Sequence, residues 1–197
     1  MKIFFKAFCC AVVISCILSI TGFSGACEDI EDRVFRLHII ANSDSEEDQS
    51  LKLKVRDEIT TYTEKLFADC KTKEESMDAA SRNIDSIRAK AQEAVKKYGY
   101  DYTVDAYVTN MSFDTRVYDD FTLPAGKYDA LRIVIGKGEG HNWWCVLYPA
   151  VCVPSAQKNI GSVLSDGETE IVTESDKYTV KFKIVEIFEG IADFFRW

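Results

Sequence analysis

The segment 140–152, GHNWWCVLYPAVC, places a histidine, two adjacent tryptophans and two cysteines within thirteen residues. Three kinds of chemistry fit those residue types. Cys145 would be a nucleophile if His38 or His141 served as its base and Asp44 or Asn142 oriented the ring, a set that needs adjacency in space rather than in sequence. Cys145 and Cys152 are a candidate disulfide pair. Trp143, Trp144 and Tyr148 are aromatic anchors of the kind that carries binding energy at protein interfaces.

Each reading makes a physical demand. A reactive thiolate is favoured by a helix amino terminus or neighbouring positive charge, whereas Cys145 lies between Trp144 and Val146 in a β-rich run. There it shares a strand face with Trp143 and Leu147 and reads as core. His38, between Leu37 and Ile39, reads equally well as a hydrogen-bonded buried histidine, and His141, beside a glycine-rich turn, as a solvated one. A disulfide holds its α-carbons about 4.4 to 6.8 Å apart, while residues seven apart in one strand are roughly 23 Å apart. The chain must therefore turn between Cys145 and Cys152, with Pro149 as the natural place; two buried free thiols are the alternative. Adjacent strand residues point to opposite sides, so one tryptophan faces the helices and the other is exposed or covered by the C-terminal helix.

Metal and nucleotide chemistry find little support. His38 and His141 are the only histidines and no Cys or His cluster has ligand spacing. GKGEG at 136–140 lacks the Lys-Ser/Thr of a phosphate loop and reads as a hairpin turn. No cofactor or metal is expected.

The elements that must position these residues follow from periodicity. Val34 to Ile40 is strand-like and breaks at ANSDS, where Asn42, Ser43, Asp44 and Ser45 can cap a helix beginning near Glu46. Leu51, Val55, Ile59, Tyr62 and Leu66 line one face of that helix. A second helix, with Thr72 and Glu75 at capping-box spacing, is predicted to run unbroken to Gly99, giving a helical hairpin. The period then changes to two: Val104, Ala106 and Val108 alternate, and ALRIVIG and NWWCVLY, separated by GKGEGH, read as a β-hairpin. Ser165 to Lys177 reads as a loop, Tyr178 to Lys183 as a last strand, and helical spacing resumes at Ile184 through Phe195. The expected fold is α+β: one domain in which a helical hairpin and a C-terminal helix pack on a mostly antiparallel sheet.

An N-terminal segment precedes this domain. Lys2 and Lys6 mark a short positive start before an apolar run from Ala7 to Ile20, and Ser24 and Ala26 stand at the small positions of a cleavage site, so residues 1–26 read as a signal peptide cut after Ala26, or as an uncleaved anchor, and residues 27–197 as the exported domain. The chain has 24 basic and 32 acidic side chains; without Lys2 and Lys6 it carries about ten net negative charges, which disfavours nucleic acid and anionic lipid as partners. Membrane contact is expected only through the N-terminal segment if it stays.

Two blocks, RLHIIANSDSEEDQSLKLKVRDEI and LPAGKYDALRIVIGKGEGHNWWCVLYP, together resemble the stage II sporulation protein R family of endospore-forming bacteria, and the resemblance extends from about Val34 to Phe188. It implies a non-enzymatic signal: a protein made in the forespore, exported into the space between the forespore and mother-cell membranes, and required to activate a membrane-embedded aspartic protease that matures the mother-cell sigma factor. Trp143, Trp144 and Tyr148, together with the turn Asn42, Ser43 and Asp44, are then the candidate surfaces for the protease's extracytoplasmic region. An extracytoplasmic cysteine hydrolase built on Cys145 with His38 or His141 is the alternative. YPAVC departs from the aromatic-Pro-Pro-like step expected of the family there, which leaves the form of the turn open.

Overall fold

The computed structural model describes residues 2–150 and 160–195; Cys152 lies outside them. The architecture is α+β, and the chain divides into two compact units. One, here the sheet unit, comprises Arg33–Met111 and Lys127–Val163; the other, the helix unit, comprises Met1–Asp32, Ser112–Gly126 and Leu164–Trp197.

The sheet unit is built on β1 (Phe35–Ile40), β2 (Val104–Phe113), β5 (Gly126–Ile135) and β6 (Asn142–Tyr148), in the order β2-β5-β1-β6. β1 runs parallel to β5 and antiparallel to β6. The hairpin expected of ALRIVIG and NWWCVLY is therefore not formed, because β1 lies between the two runs. Leu37 pairs with Leu131 on one side and Cys145 on the other, and Ile39 with Ile133 and Trp143. Neighbours on both edges satisfy the backbone of β1, and five of its six residues are buried, so both of its faces are covered, which suits its apolar composition.

Leu37, Ile39, Leu131, Ile133, Cys145 and Leu147 form the core together with Leu51, Val55 and Ile59 of α2 (Glu46–Leu66) and Ile87, Ala91 and Val95 of α4 (Ile84–Lys97). α2 starts at the predicted residue because Ser45 Oγ accepts from the amide of Asp48, with Glu46, Glu47 and Asp48 in its first turn. The second helix is interrupted. α3 (Lys73–Arg82), capped by Thr72, stops at Asn83, whose side-chain amide donates to the Ala79 carbonyl at 2.8 Å while its own backbone leaves helical geometry. An asparagine that binds its own preceding turn competes with helix propagation, and the helical stripe alone does not reveal that. Lys73 Nζ meets Asp129 at 2.8 Å, an ion pair buried on the lysine side that ties α3 to β5.

In the helix unit, α1 (Lys2–Arg33) is one helix that continues through Ala26 and Cys27. Phe23, Cys27 and Ile30, spaced for one helical face, are buried, whereas Ile3, Phe4, Phe5, Phe8, Val12, Ile14 and Leu18 are exposed. Among the described residues no helix is long and apolar enough to cross a membrane. β3 (Arg116–Val117) and β4 (Thr122–Leu123) make a small antiparallel pair. The loop expected over Ser165–Lys177 is instead α5 (Asp166–Thr173) followed by a 3₁₀ turn at Ser175–Tyr178, and the strand expected over Tyr178–Lys183 is the start of α6 (Thr179–Phe195). The missed signal for α5 was a complete capping box: Ser165 Oγ accepts from the Glu168 amide and the Glu168 carboxylate accepts from the Ser165 amide. In α6, Phe182 and Val185 are the buried positions, so the period is helical already at the residues expected as a strand.

Candidate functional site

The turn after β1 and the loop before β6 are joined by a network of hydrogen bonds. Backbone amides of Glu139 and Gly140 donate to the carbonyls of Asn42 and Ala41 at 3.2 and 3.0 Å, and the Lys137 amide donates to Asn42 Oδ1 at 3.0 Å. Gly136 and Gly138 take positive φ, 58° and 64°, which L side chains rarely adopt. At Gly140 the need is space rather than φ: a Cβ would overlap the Ser43 carbonyl. GKGEG is thus a clasp over the ANSD turn, not a hairpin turn.

Buried polar groups fix the turn from below. Asp48, 3 % exposed, accepts from Asn42 Nδ2 at 2.8 Å and from Ser43 Oγ at 2.6 Å. Burial pushes its carboxyl upward, but the hydrogen bonds from Ser43, Asn42 and Tyr102 outweigh that and hold it below the usual carboxylate range. Lys52, 4 % exposed, donates to the His141 carbonyl at 2.8 Å and to Gln49 Oε1 at 2.6 Å, and Gln49 donates to the Ser43 carbonyl. Burial lowers the Lys52 ammonium below its ordinary value. Asp48, Gln49 and Lys52 were assigned only to the helix in the sequence; their i, i+1, i+4 placement on the first turns of α2, just after a run of capping residues, was the available signal.

Above this base the network opens to solvent. Asp44 accepts from the His141 amide at 2.6 Å and from its ring nitrogen, and these hydrogen bonds from His141 hold the Asp44 carboxyl below its usual range. The next residue, Asn142, accepts from His38 Nε2 at 2.7 Å, and the His38 ring stacks on Trp144, centroids 4.1 Å apart and planes 11° apart. Asp44, His141, Asn142, His38 and Trp144 therefore form one continuous strip. The turn and the tryptophan that looked like two separate candidate surfaces are one. His38 is 2 % exposed; burial, with Arg132 and Arg36 nearby and only the Asn142 hydrogen bond opposing, lowers its pKa to about 4, so it is neutral near pH 7.

The remaining candidates fall elsewhere. Trp143 faces the helices, with the Arg56 guanidinium 4.4 Å from its ring centroid. Tyr148, at the far end of β6, donates its hydroxyl to the Lys71 carbonyl and lines a separate cleft with Ala68, Cys70, Pro149 and Val163. Cys145 is disulfide-bonded and 2 % exposed; its expected partner, Cys152, lies outside the described residues. With His38 as the base the nucleophile set fails on geometry as well, since Cys145 pairs with Leu37 on the helix-facing side whereas His38 pairs with Trp144 on the opposite side. Among the described residues no group of three or more His, Cys, Asp or Glu could hold a metal ion.

Comparison with known proteins bears on the same residues. The family described as Stage II sporulation protein R matches over residues 31–158. The curated Stage II sporulation protein R of Bacillus subtilis (strain 168) is 34 % identical over 163 residues, covering 83 % of this chain and 69 % of the relative. No solved structure matches.

Proposed function

We propose a function from one premise: this chain belongs to the stage II sporulation protein R family and has a role in sporulation. In this reading it is an intercellular signal of endospore formation. It is made in the forespore, exported into the intermembrane space, and required there to activate the membrane-embedded aspartic protease that processes the mother-cell pro-sigma factor. It acts as a ligand, not as a catalyst.

The observation that carries the ligand reading is the joined strip. The two blocks that bear the family resemblance meet in space, with nothing between them but hydrogen bonds. A rigid turn with exposed Asp44, Lys137, Glu139 and His141 at its rim and half-buried Trp144 at its end has the layout of a recognition surface, an aromatic anchor beside a polar rim. The Cys145 disulfide removes the thiolate that the hydrolase reading needs.

The test is pro-sigma processing in sporulating cells that carry the protease and receive this protein as their only activator. Asp44→Arg with Lys137→Glu, and separately Trp144→Ala, should abolish processing while the exported protein stays folded and abundant. Processing that survives both variants at wild-type rate would remove the strip from consideration. Hydrolysis of a peptide or peptidoglycan substrate by purified, disulfide-bonded protein would refute the ligand reading itself.

A further inference from the structure

α6 is apolar on two opposite sides. Phe182 and Val185 turn into the helix unit, where Phe182 meets Phe23 edge-on with centroids 5.3 Å apart and Tyr178 stacks on the same ring at 5.6 Å. On the other side Val180, Ile187, Phe188 and Ile191 are 73, 61, 62 and 49 % exposed. At 3.6 residues per turn they fall within a single arc roughly 100° wide. A lone exposed apolar side chain needs no cover, whereas a continuous stripe marks a contact surface.

α1 identifies what covers it. Ile3, Phe4, Phe5, Phe8, Val12, Ile14 and Leu18 are exposed around the helix, and no ionisable side chain except the two thiols of Cys9 and Cys10 and that of Cys16 occurs between Lys6 and Cys27. A helix that is apolar all round belongs in a protein core or in hydrocarbon. This one is tied to the bare helix by Phe23, which sits between α1 and the Tyr178–Phe182 segment.

On the reading that residues 1–26 stay attached as an anchor, we infer that the Val180–Ile191 stripe of α6 rests on the same lipid bilayer that receives the first half of α1, so that the helix unit makes a two-point contact with one membrane face. The contact is apolar in kind. Lys183 and Glu186, on the flank of the stripe, pair with each other at 3.0 Å, and the stripe presents no basic cluster for lipid phosphates. Neutral phosphatidylcholine therefore suffices, and salt has little effect. α6 lies beyond the residues matched by the family model and apart from the recognition strip.

The experiment uses the full chain and phosphatidylcholine vesicles that carry a photoactivatable diazirine in the acyl chain. Illumination should place adducts within residues 3–18 and also on Ile187, Phe188 or Ile191. Phe188→Ser with Ile191→Ser should remove the α6 adducts and weaken vesicle flotation ~10-fold, with the circular dichroism spectrum unchanged and wild-type flotation unaltered between about 0.1 and about 1 M salt. Adducts confined to α1, with the double variant floating like wild type, would overturn the inference. Concentration-dependent self-association in lipid-free solution, lost in the double variant, would assign the stripe to a second copy and overturn it as well.

Discussion

The two faces of the four-stranded sheet are made from alternate residues of the same strands, yet they are built on different principles. On the helix-facing side, Leu37, Ile39, Leu131, Ile133 and Cys145 meet α2 and α4 as an apolar core. On the other, Arg36 sits with its guanidinium 4.7 Å from the centre of the Tyr128 ring, and His38 is stacked on Trp144, its partner across the strand pair. Arg36 and Tyr128 are fully buried, whereas Arg132, Val134 and Trp144 are half-buried and Asn142 is exposed, so the second face is closed around Arg36 and opens toward the ANSD turn. The difference is tolerance. An apolar face loses stability in proportion to the volume removed, whereas a buried polar face is sensitive to protonation and to the loss of single partners.

The largest expected effect tests the apolar face. Ile133→Ala, at a fully buried site between β1 and the helices, should cost ~2–5 kcal/mol in denaturant unfolding without changing pH dependence. Next comes the polar face. His38 has its pKa lowered to about 4 in the fold from its ordinary value of 6.5, so the unfolded chain takes up a proton that the folded chain refuses. Its contribution is full above pH 6.5 and is lost as pH falls from there toward about 4, roughly 3 kcal/mol over that window. His38→Phe should flatten this part of the stability profile; an unchanged slope would mean that the two faces do not differ in the way described. Gly140→Ala separates the clasp from both faces. Its Cβ meets a backbone carbonyl that cannot swing aside, and a loss of ~1–3 kcal/mol is expected, accompanied by amide-exchange changes confined to the ANSD turn. The smallest effect belongs to His141→Ala: with 78 % of the side chain exposed, its loss should leave the unfolding midpoint within error while weakening pro-sigma processing.

Local features of the sheet unit were legible in the sequence because local physics decides them. Ser45 caps α2 where its side chain can reach the third amide, and the four-residue steps of Leu51, Val55 and Ile59 admit one buried face. Two-residue alternation correctly placed Cys145 with Trp143 and Leu147. What could not be read was who lies next to whom. Two β-rich runs with a glycine-rich link resemble a hairpin whether or not a third strand, about 95 residues earlier, slides between them. The site was half legible for the same reason: Asn42, Ser43, Asp44 and Trp144 were singled out by type, but their union depends on that inserted strand. Asn83, which breaks a continuous helical stripe through a side-chain bond to its own preceding turn, and Ser165, which builds a capping box inside a polar stretch, carry signals that are present in the sequence but weaker than the pattern around them.

The central place of β1 also governs the order of events as the chain folds. The strand is made early, yet its partners are Phe35 with Asp129 on one edge and Phe35 with Tyr148 on the other. Until both distant runs have emerged, FRLHII has neither edge satisfied, and closing two such long loops costs entropy before any ladder bond repays it. The sheet therefore cannot assemble from the amino terminus onward. The helices, which draw on local contacts, can form at once, while the strand that organises the recognition strip waits for the last piece of its own sheet.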